Sequence, residues 1–188
     1  MTGWIITAVL AAIALYAIFV FNRLVRLRNL AREGWSGIDV QLKRRSDLVP
    51  NLVETVKAYA AHERTVLEEV TASRQSSIAA DDVARRATAE NALQGALGRL
   101  FAVAEAYPQL KADQNFLALQ QQLAEIEDQL QMARRYYNGT VRNLNISIQS
   151  FPDNLLAGVL GFREQPFFEL EDRAQAATPT VAFQAPKL

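Results

Sequence analysis

Cysteine is absent from this 188-residue sequence, and histidine occurs once. The absence of cysteine excludes disulfide bonds, thiol chemistry and the cysteine that a lipoprotein signal requires. It is compatible with a reducing compartment. Chemistry based on a cysteine nucleophile or a cysteine-ligated metal is therefore outside the range of this chain.

The single histidine, His62, also limits the hydrolytic and metal chemistry that the sequence supports. His62 precedes Glu63, as in a zincin motif, but that motif needs a second histidine where Val66 stands. A Ser-His-Asp triad would need the same histidine, and the Gly-x-Ser-x-Gly nucleophile turn is missing. A Walker loop, a Gly-rich strand-to-helix turn and the Glu-x-x-His pattern of bundle metal sites are missing too. We therefore predict no enzyme activity, no cofactor and no metal site, and expect His62 to lie at the surface.

Charged side chains are missing from the first 22 residues, which are strongly apolar. The run from Trp4 to Phe21 would extend about 27 Å as a helix, against a hydrocarbon core of about 30 Å. Trp4 lies at one end of the run, where an interfacial anchor belongs. A cleaved signal peptide is the alternative, but its basic residues would precede a shorter apolar core. We predict a transmembrane anchor over residues 1–22.

Basic residues dominate the segment that follows the apolar run. The basic residues of this segment are Arg23, Arg26, Arg28, Arg32, Lys43, Arg44 and Arg45, and the acidic ones are Glu33 and Asp39. The positive-inside bias places the N-terminus outside and the bulk of the chain in the cytoplasm. The first four arginines, at 23, 26, 28 and 32, are candidates for contact with anionic lipid, at about 1 kcal/mol per residue. Because the rest of the chain is balanced in charge, we do not expect nucleic-acid binding.

Apolar residues recur with a seven-residue period from position 31 onward, which predicts a long helix that continues from the anchor into the domain. The two rows are Trp35, Leu42, Val49, Val56 and Val70, and Ala31, Ile38, Leu52, Tyr59 and Val66. The first break in this helix is expected at residues 76–82. Gly34 and Gly37 are expected to weaken this helix. Pro50 removes the hydrogen bond to the Ser46 carbonyl and predicts a kink over 47–50.

Two charged residues interrupt this apolar stripe. Burial of Arg45 or Glu63 without a partner would be costly, so each is expected to find one on another helix. The two cannot pair with each other within one continuous helix, because they are about 27 Å apart along it.

A second helix is predicted from a cap at Asp81 or Asp82 to Tyr107, with Gly95 and Gly98 permitting close helix contact. Its apolar face includes Leu93, Leu97, Leu100 and Ala104. A third helix is predicted from about position 112 or 113 to Pro152. Its rows are Phe116, Leu123, Leu130, Tyr137, Leu144 and Phe151, and Leu119, Ile126 and Ala133.

These helices predict an all-α fold, in which an N-terminal transmembrane helix continues into a cytoplasmic bundle of long antiparallel helices. The predicted divisions are an anchor over 1–22, a helical bundle over 23–162 and a tail over 163–188. Residues 153–162 (DNLLAGVLGF) form a short helix or a packed loop, and the tail is either docked or disordered. The aromatic residues of the tail are Phe167, Phe168 and Phe183. Open coiled-coil oligomerisation is the alternative to a bundle, and the two are compatible.

Polar residues cluster in three places that are candidates for partner binding or for ordinary caps and solvated faces. The first cluster comprises Asp47, Asn51, Glu54 and Lys57, the second Glu105, Lys111, Asp113 and Asn115, and the third Arg134, Arg135, Tyr136, Tyr137, Asn138 and Asn145. We take the first cluster as the candidate partner surface.

Four segments of the sequence resemble the LemA family. They are residues 24–63, AVAEAYPQLKADQNF (102–116), ARRYYNGTVRNLNISIQSFPDNLLAGVLGF (133–162) and PTVAF (179–183). The resemblance covers nearly the whole chain. It implies a bacterial inner-membrane protein with one N-terminal span and a cytoplasmic bundle of long helices. It implies no catalytic residue, cofactor or metal ligand.

Three functions are consistent with these observations. The first is a membrane-tethered scaffold or adaptor that presents bundle faces to unidentified membrane or cytoplasmic proteins. A homo-oligomer is a possible form of this scaffold. The second is a membrane-shaping or lipid-organising protein, suggested by the arginine strip and residues 153–162. The remote third is an unrecognised hydrolase, for which His62, Glu63 and Asp47 are the best candidates.

Overall fold

The computed structural model describes residues 2–169, which form six helices and no strand. The helices are α1 (Thr2–Tyr59), α2 (Arg64–Ala79), α3 (Val83–Glu105), α4 (Pro108–Lys111), α5 (Gln114–Gln149) and α6 (Asp153–Val159). The all-α prediction is confirmed. The greater part of the predicted tail, including Phe183 and the PTVAF segment, lies outside the described residues.

Helix α1 is continuous over 58 residues, so the apolar run and the first helix of the bundle are one element, as predicted. It ends at Tyr59, however, and a short turn separates it from α2. The prediction of no break before 76–82 was therefore wrong. The predicted rows extend past the turn because α2 folds back along α1 and its apolar residues pack against the apolar stripe of α1. Val70 of α2, for example, is fully buried. The fully buried Ala60 occupies little space in this turn.

The bundle pairs α1 with α5 and α2 with α3, each pair antiparallel. At one end Tyr59 contacts Asp113, and at the other Arg23 contacts Ser147, so α5 returns along α1. We call these the distal and basal ends, respectively. The α2–α3 pair packs against the distal half of α1, and α6 packs beside the basal part of α1 and α5.

Buried apolar residues form two clusters that follow the predicted rows. The distal cluster includes Val49, Leu52, Val56, Val70, Leu93, Leu97, Leu100, Leu110 and Phe116. The basal cluster includes Val20, Leu24, Ile38, Leu42, Leu130, Tyr137, Val141, Leu144, Phe162 and Phe168. Phe151 departs from its predicted row, since its side chain is 79% exposed.

Helix starts agree with the predicted cap at Asp81 or Asp82 and with the predicted start of a helix near position 113. The Asp82 side chain accepts a hydrogen bond from the Arg85 N–H at 2.8 Å, and α3 begins at the next residue. Asp113 accepts from the Phe116 N–H at 3.0 Å at the start of α5. Each cap satisfies one of the N–H groups that the first turn of a helix leaves unpaired.

Close helix contact occurs at a glycine other than those predicted. A Cβ atom at Gly34 would lie 3.0 Å from the Cα atom of Tyr137, so the backbones of α1 and α5 approach closely there. A Cβ atom at Gly98 would meet nothing within 4 Å, and one at Gly95 would meet only the guanidinium of Arg99. The prediction for Gly95 and Gly98 was therefore wrong, because neither faces another helix closely.

Candidate functional site

The basal end of the bundle holds a polar group that ties α6 to α1. The Tyr16 hydroxyl donates to Asp153 Oδ1 at 2.7 Å, and the Arg23 guanidinium contacts Asp153 Oδ2 at 3.0 Å. The same guanidinium donates to the Ser147 hydroxyl at 3.0 Å. Asp153 is buried, and the ion pair with Arg23 compensates the charge of its carboxylate. The start of α6 is thus fixed at the level of Tyr16.

The four arginines proposed to meet lipid differ in their surroundings. Arg26 and Arg32 are exposed on α1, whereas about half of the Arg23 side chain is covered. The guanidinium carbon of Arg28 lies 5.0 Å from the ring centroid of Phe162, which is a cation–π arrangement. Arg23 and Arg28 therefore also hold the segment after α5 against α1.

A small cavity of about 240 Å³ lies between α1, α5, the start of α3 and the chain after α6. It is lined by Arg28, Ala31, Arg32, Trp35, Val83, Tyr137 and Gln165. Two guanidinium groups beside aromatic walls are suited to a small anionic group.

Two asparagines on α5 hold the chain that follows α6. Asn145 accepts from the Gln165 N–H and donates to the Gln165 carbonyl, both at 2.9 Å. Asn138 makes the same pair of hydrogen bonds with Phe168, at 2.9 and 3.1 Å. Tyr137 donates to the Pro166 carbonyl at 2.9 Å. Residues 163–169 are therefore docked on the bundle, and we call this arrangement the asparagine clamp.

The clamp positions Phe168 in the basal core. Phe168 is fully buried, and its ring centroid lies 5.5 Å from that of Trp35. Trp35 in turn lies 5.5 Å from the ring of Tyr137, whose burial raises the pKa of its phenol.

A buried polar network lies between the two apolar clusters. Arg45 contacts Glu90 Oε2 at 2.6 Å and Glu127 Oε2 at 2.9 Å, which joins α1 to α3 and α5. The Ser77 hydroxyl of α2 donates to Glu90 Oε1. Arg45 and Glu90 have side chains that are only 3% and 1% exposed. The prediction that Arg45 finds a partner on another helix is confirmed.

The predicted partner surface lies on the distal half of α1. Asp47, Asn51, Glu54 and Lys57 are all exposed, and Lys57 contacts Glu54 at 3.4 Å. Glu54 and Lys57 also line a groove of about 640 Å³ between α1 and α2, together with residues such as Arg64 and Leu67. The structure thus brings half of the predicted set to the edge of a groove.

His62 is exposed in the turn between α1 and α2, as expected. The neighbouring Glu63 accepts a hydrogen bond from the Tyr107 hydroxyl at 3.3 Å, so its partner lies outside α1. Burial, followed by the nearby Glu63 carboxylate, raises the pKa of Tyr107. Over residues 2–169, no group of three or more His, Asp and Glu side chains is placed to hold a metal ion.

The distal end of the α1–α5 pair is closed by Tyr59 and Asp113. The Tyr59 hydroxyl donates to Asp113 Oδ2 at 2.9 Å, which raises the pKa of Tyr59. The Phe116 N–H and then the Tyr59 hydroxyl hold the pKa of Asp113 below its ordinary value of 3.8. Both contacts stabilise the ionised carboxylate, because each donates a hydrogen bond to it.

Sequence reasoning missed several polar residues that join the helices. Glu90 and Ser77 were not singled out, although a lone glutamate on the buried face of α3 is a recognisable signal. Arg86 was also missed. It donates to the Ser77 carbonyl and contacts Asp39 Oδ1, both at 2.8 Å, which ties the end of α2 to α1.

Known proteins resemble this chain over most of its length. The family model described as LemA family matches residues 34–183. Magnetosome protein MamQ 2 of Paramagnetospirillum magneticum is 25% identical over 207 aligned residues, which cover 95% of this chain and 75% of that protein. Magnetosome protein MamQ of Magnetospirillum gryphiswaldense is 24% identical, with coverage of 87% and 69%. Protein LemA of Metamycoplasma hominis is 26% identical, with coverage of 80% and 69%. Because the family model covers well over half of the sequence, this chain belongs to the LemA family.

Proposed function

We propose that this protein is a non-enzymatic, single-pass scaffold or adaptor of the bacterial inner membrane. The observation that carries the proposal is the continuity of α1. Its first part is long and apolar enough to cross a membrane and is almost entirely exposed, whereas its second part is the central seam of the bundle. A rigid connection of this kind holds the bundle in a fixed position relative to the bilayer.

The proposed topology has the N-terminus outside and the bundle in the cytoplasm. The apolar side chains between Trp4 and Phe21 are suited to lipid, and the arginines that follow favour the cytoplasmic side. Arg26 and Arg32, which are exposed, are the best placed of the four arginines to contact anionic headgroups.

The bundle provides the surfaces for partner proteins in this proposal. From Leu24 to Tyr59, α1 extends about 54 Å at roughly 1.5 Å per residue. The exposed Asp47, Asn51, Glu54 and Lys57 lie toward its far end, beside the groove between α1 and α2. Partners bound there would be held well away from the bilayer, and a second copy of the chain is one of the candidates.

The topology can be tested with single cysteines, because the chain has none of its own. Thr2→Cys and Gln120→Cys variants are expressed in cells and exposed to a membrane-impermeant maleimide before and after lysis. We expect Thr2→Cys to react in intact spheroplasts and Gln120→Cys to react only after lysis. Labelling of Gln120→Cys in sealed spheroplasts would overturn the topology.

The scaffold role can be tested by crosslinking in intact membranes followed by affinity purification. Asp47→Lys combined with Glu54→Lys reverses two exposed charges on the candidate surface, and we expect it to lose the partners that the wild type retains. Glu125→Lys combined with Asp128→Lys is the matched control, since it reverses two exposed charges on α5. Recovery of monomer alone from wild-type membranes contradicts the scaffold proposal.

A second candidate function is membrane shaping, favoured by the apolar surface of α6. Leu155 and Val159 are 63% and 86% exposed, although both are apolar. Purified protein reconstituted into liposomes is expected, on this alternative, to assemble on them and to alter their shape in electron micrographs. Unchanged spherical liposomes at high protein density remove this alternative.

A further inference from the structure

The segment that follows α5 is apolar on both sides. Residues 150–162, which we call the α6 hairpin, contain one charged residue, Asp153, and it is buried against Arg23 and Tyr16. Ala157 and Phe162 face the basal core. The exposed apolar side chains of the hairpin are Phe151, Leu155, Val159 and Leu160. The exposed polar side chains of the hairpin are Ser150 and Asn154, at its start. A helix whose opposite faces are both largely apolar belongs in a protein core or in lipid.

The α6 hairpin lies at the level of the apolar run of α1. Asp153 is bonded to Tyr16, which stands before the end of that run at Phe21. At its other end the hairpin places the ring of Phe162 6.0 Å from that of Phe21. Tyr16 precedes Phe21 by about 7.5 Å of helix. The hairpin therefore begins beside the apolar part of α1, on the membrane side of the boundary with the basic part.

Backbone hydrogen bonds within the hairpin satisfy several of its polar groups, which lowers the cost of contact with lipid. The Asn154 N–H donates to the Ser150 carbonyl at 2.8 Å, and the Phe162 N–H donates to the Ala157 carbonyl at 2.9 Å. Gly161 has a φ of +75°, which allows the chain to turn back after α6.

From this placement we infer that the α6 hairpin inserts into the cytoplasmic headgroup layer of the bilayer, beside the transmembrane part of α1. The hairpin is a second membrane contact of the same chain, and it rests on the membrane anchoring in the proposed function. Lipid is the occupant because the exposed face of the hairpin is continuous with the lipid-facing surface of α1. Interfacial helices bury their apolar side by about 5–10 Å in this layer.

This contact gives the bundle two points of attachment and so fixes its rotation about α1. Asp153 is a positioning residue, since its bonds to Tyr16 and Arg23 set the depth of the hairpin. Phe151, at the turn before α6, is 79% exposed and departs from its predicted buried row, so its side chain is available for insertion.

The inference is tested by measuring the depth of single fluorescent probes in the full-length chain. The cysteine variants Leu155→Cys, Val159→Cys, Ile13→Cys and Gln120→Cys are labelled with an environment-sensitive dye. They are reconstituted into vesicles of phosphatidylcholine and phosphatidylglycerol that contain phospholipids carrying quenchers at shallow or deep positions. Ile13 reports the transmembrane part of α1, and the exposed Gln120 reports the distal end of α5.

We expect shallow quenchers to remove most of the fluorescence of the probes at 155 and 159. We expect deep quenchers to remove most of the fluorescence of the probe at 13. The probe at 120 is expected to lose none. If the probes at 155 and 159 are not quenched but the probe at 13 is, the inference is overturned while the membrane anchoring stands. The same result is expected if another copy of the chain, rather than lipid, covers the hairpin, and it overturns the inference in that case too. An unquenched probe at 13 overturns the anchoring itself and the inference with it.

Discussion

The Arg74 side chain donates a hydrogen bond from Nε to the carbonyl oxygen of Ser46, at 2.7 Å. This carbonyl has no N–H partner four residues later, because that position is Pro50 and proline lacks the donor. A guanidinium from α2 thus satisfies the acceptor that a proline inside α1 leaves open. The same contact fixes α2 against α1 at the place where the sequence predicts a kink.

Removing this guanidinium is expected to destabilise the bundle. Arg74→Met keeps the apolar stem but deletes the donor, and a hydrogen bond involving a charged group contributes about 1.5–3 kcal/mol. We expect the free energy of unfolding to fall by about that amount. Urea unfolding of the full chain in detergent micelles, followed by circular dichroism, measures it.

A double-mutant cycle with Pro50→Ala provides the control. Alanine at position 50 restores an N–H that can donate to the Ser46 carbonyl, so Arg74→Met should cost about 1 kcal/mol less in that background. An equal cost in both backgrounds would show that Arg74 acts through something other than this carbonyl.

The two glycines in the bundle part of α1, Gly34 and Gly37, are expected to respond in opposite directions to alanine. At Gly34 a Cβ atom would lie 3.0 Å from the Tyr137 Cα atom, and the backbone of α5 cannot easily move away. At Gly37 the nearest atom would be 3.9 Å away, which is an ordinary contact. Gly37→Ala should therefore raise the thermal midpoint through its helix propensity, worth up to about 1 kcal/mol, whereas Gly34→Ala should lower it. A rise for both variants would contradict the close approach.

Much of this fold could be predicted from the sequence because it depends on local signals. The seven-residue rows identified buried residues such as Leu42, Leu123 and Leu130, since helix period decides which side chains share a face. The cap at Asp82 was one of the two alternatives identified, and the start of α5 near position 113 was identified too, because a helix start depends on groups two or three residues away.

The remainder depends on which surfaces meet, and sequence spacing does not encode that. Gly34 and Gly37 have the same spacing as Gly95 and Gly98, yet only Gly34 lies against the backbone of another helix. The turn before α2 has no glycine or proline, so nothing local marks it.

The candidate site shows the same division between local and tertiary information. The apolar run and the arginine strip were identifiable because their composition alone is distinctive. The attachment of Asp153 to Tyr16 joins residues 137 positions apart, and no local pattern predicts it.

Removing one member of the buried ion pair is expected to cost far more than removing both. Arg45→Met leaves the Glu90 carboxylate buried without its cation, and such a loss costs about 3–5 kcal/mol. The double variant Arg45→Met, Glu90→Met should regain much of this stability, because the only carboxylate left without its cation is Glu127, whose side chain is 31% exposed to solvent. Lys57→Met is the control, since its exposed pair with Glu54 contributes at most about 1 kcal/mol.

Urea unfolding of the three variants in micelles compares these costs directly. If Arg45→Met and Lys57→Met lower the free energy of unfolding equally, the buried network does not hold the helices together.

Asp113 is expected to make stability depend on acid pH. Its pKa is lowered in the folded state, so the unfolded chain takes up the proton first as the pH falls. Its contribution is complete above the unfolded pKa, near 3.8, and is lost as the pH decreases through the lower folded pKa. Asp113→Asn should make this part of the profile of unfolding free energy against pH flatter than in the wild-type chain. A profile unchanged by Asp113→Asn contradicts the assignment.

The asparagine clamp is expected to control the opening of the chain after α6. Asn138→Ala deletes both hydrogen bonds to Phe168, and at about 1 kcal/mol each their loss should speed exchange of the Phe168 amide roughly 30-fold. Asn145→Ala should instead expose the Gln165 amide, because each asparagine holds its own residue. Asn143→Ala, at an exposed position of α5, is the matched control and should change neither amide. Residue-resolved hydrogen exchange separates these outcomes, and an unchanged Phe168 amide in Asn138→Ala would mean that packing against Trp35 alone holds this segment.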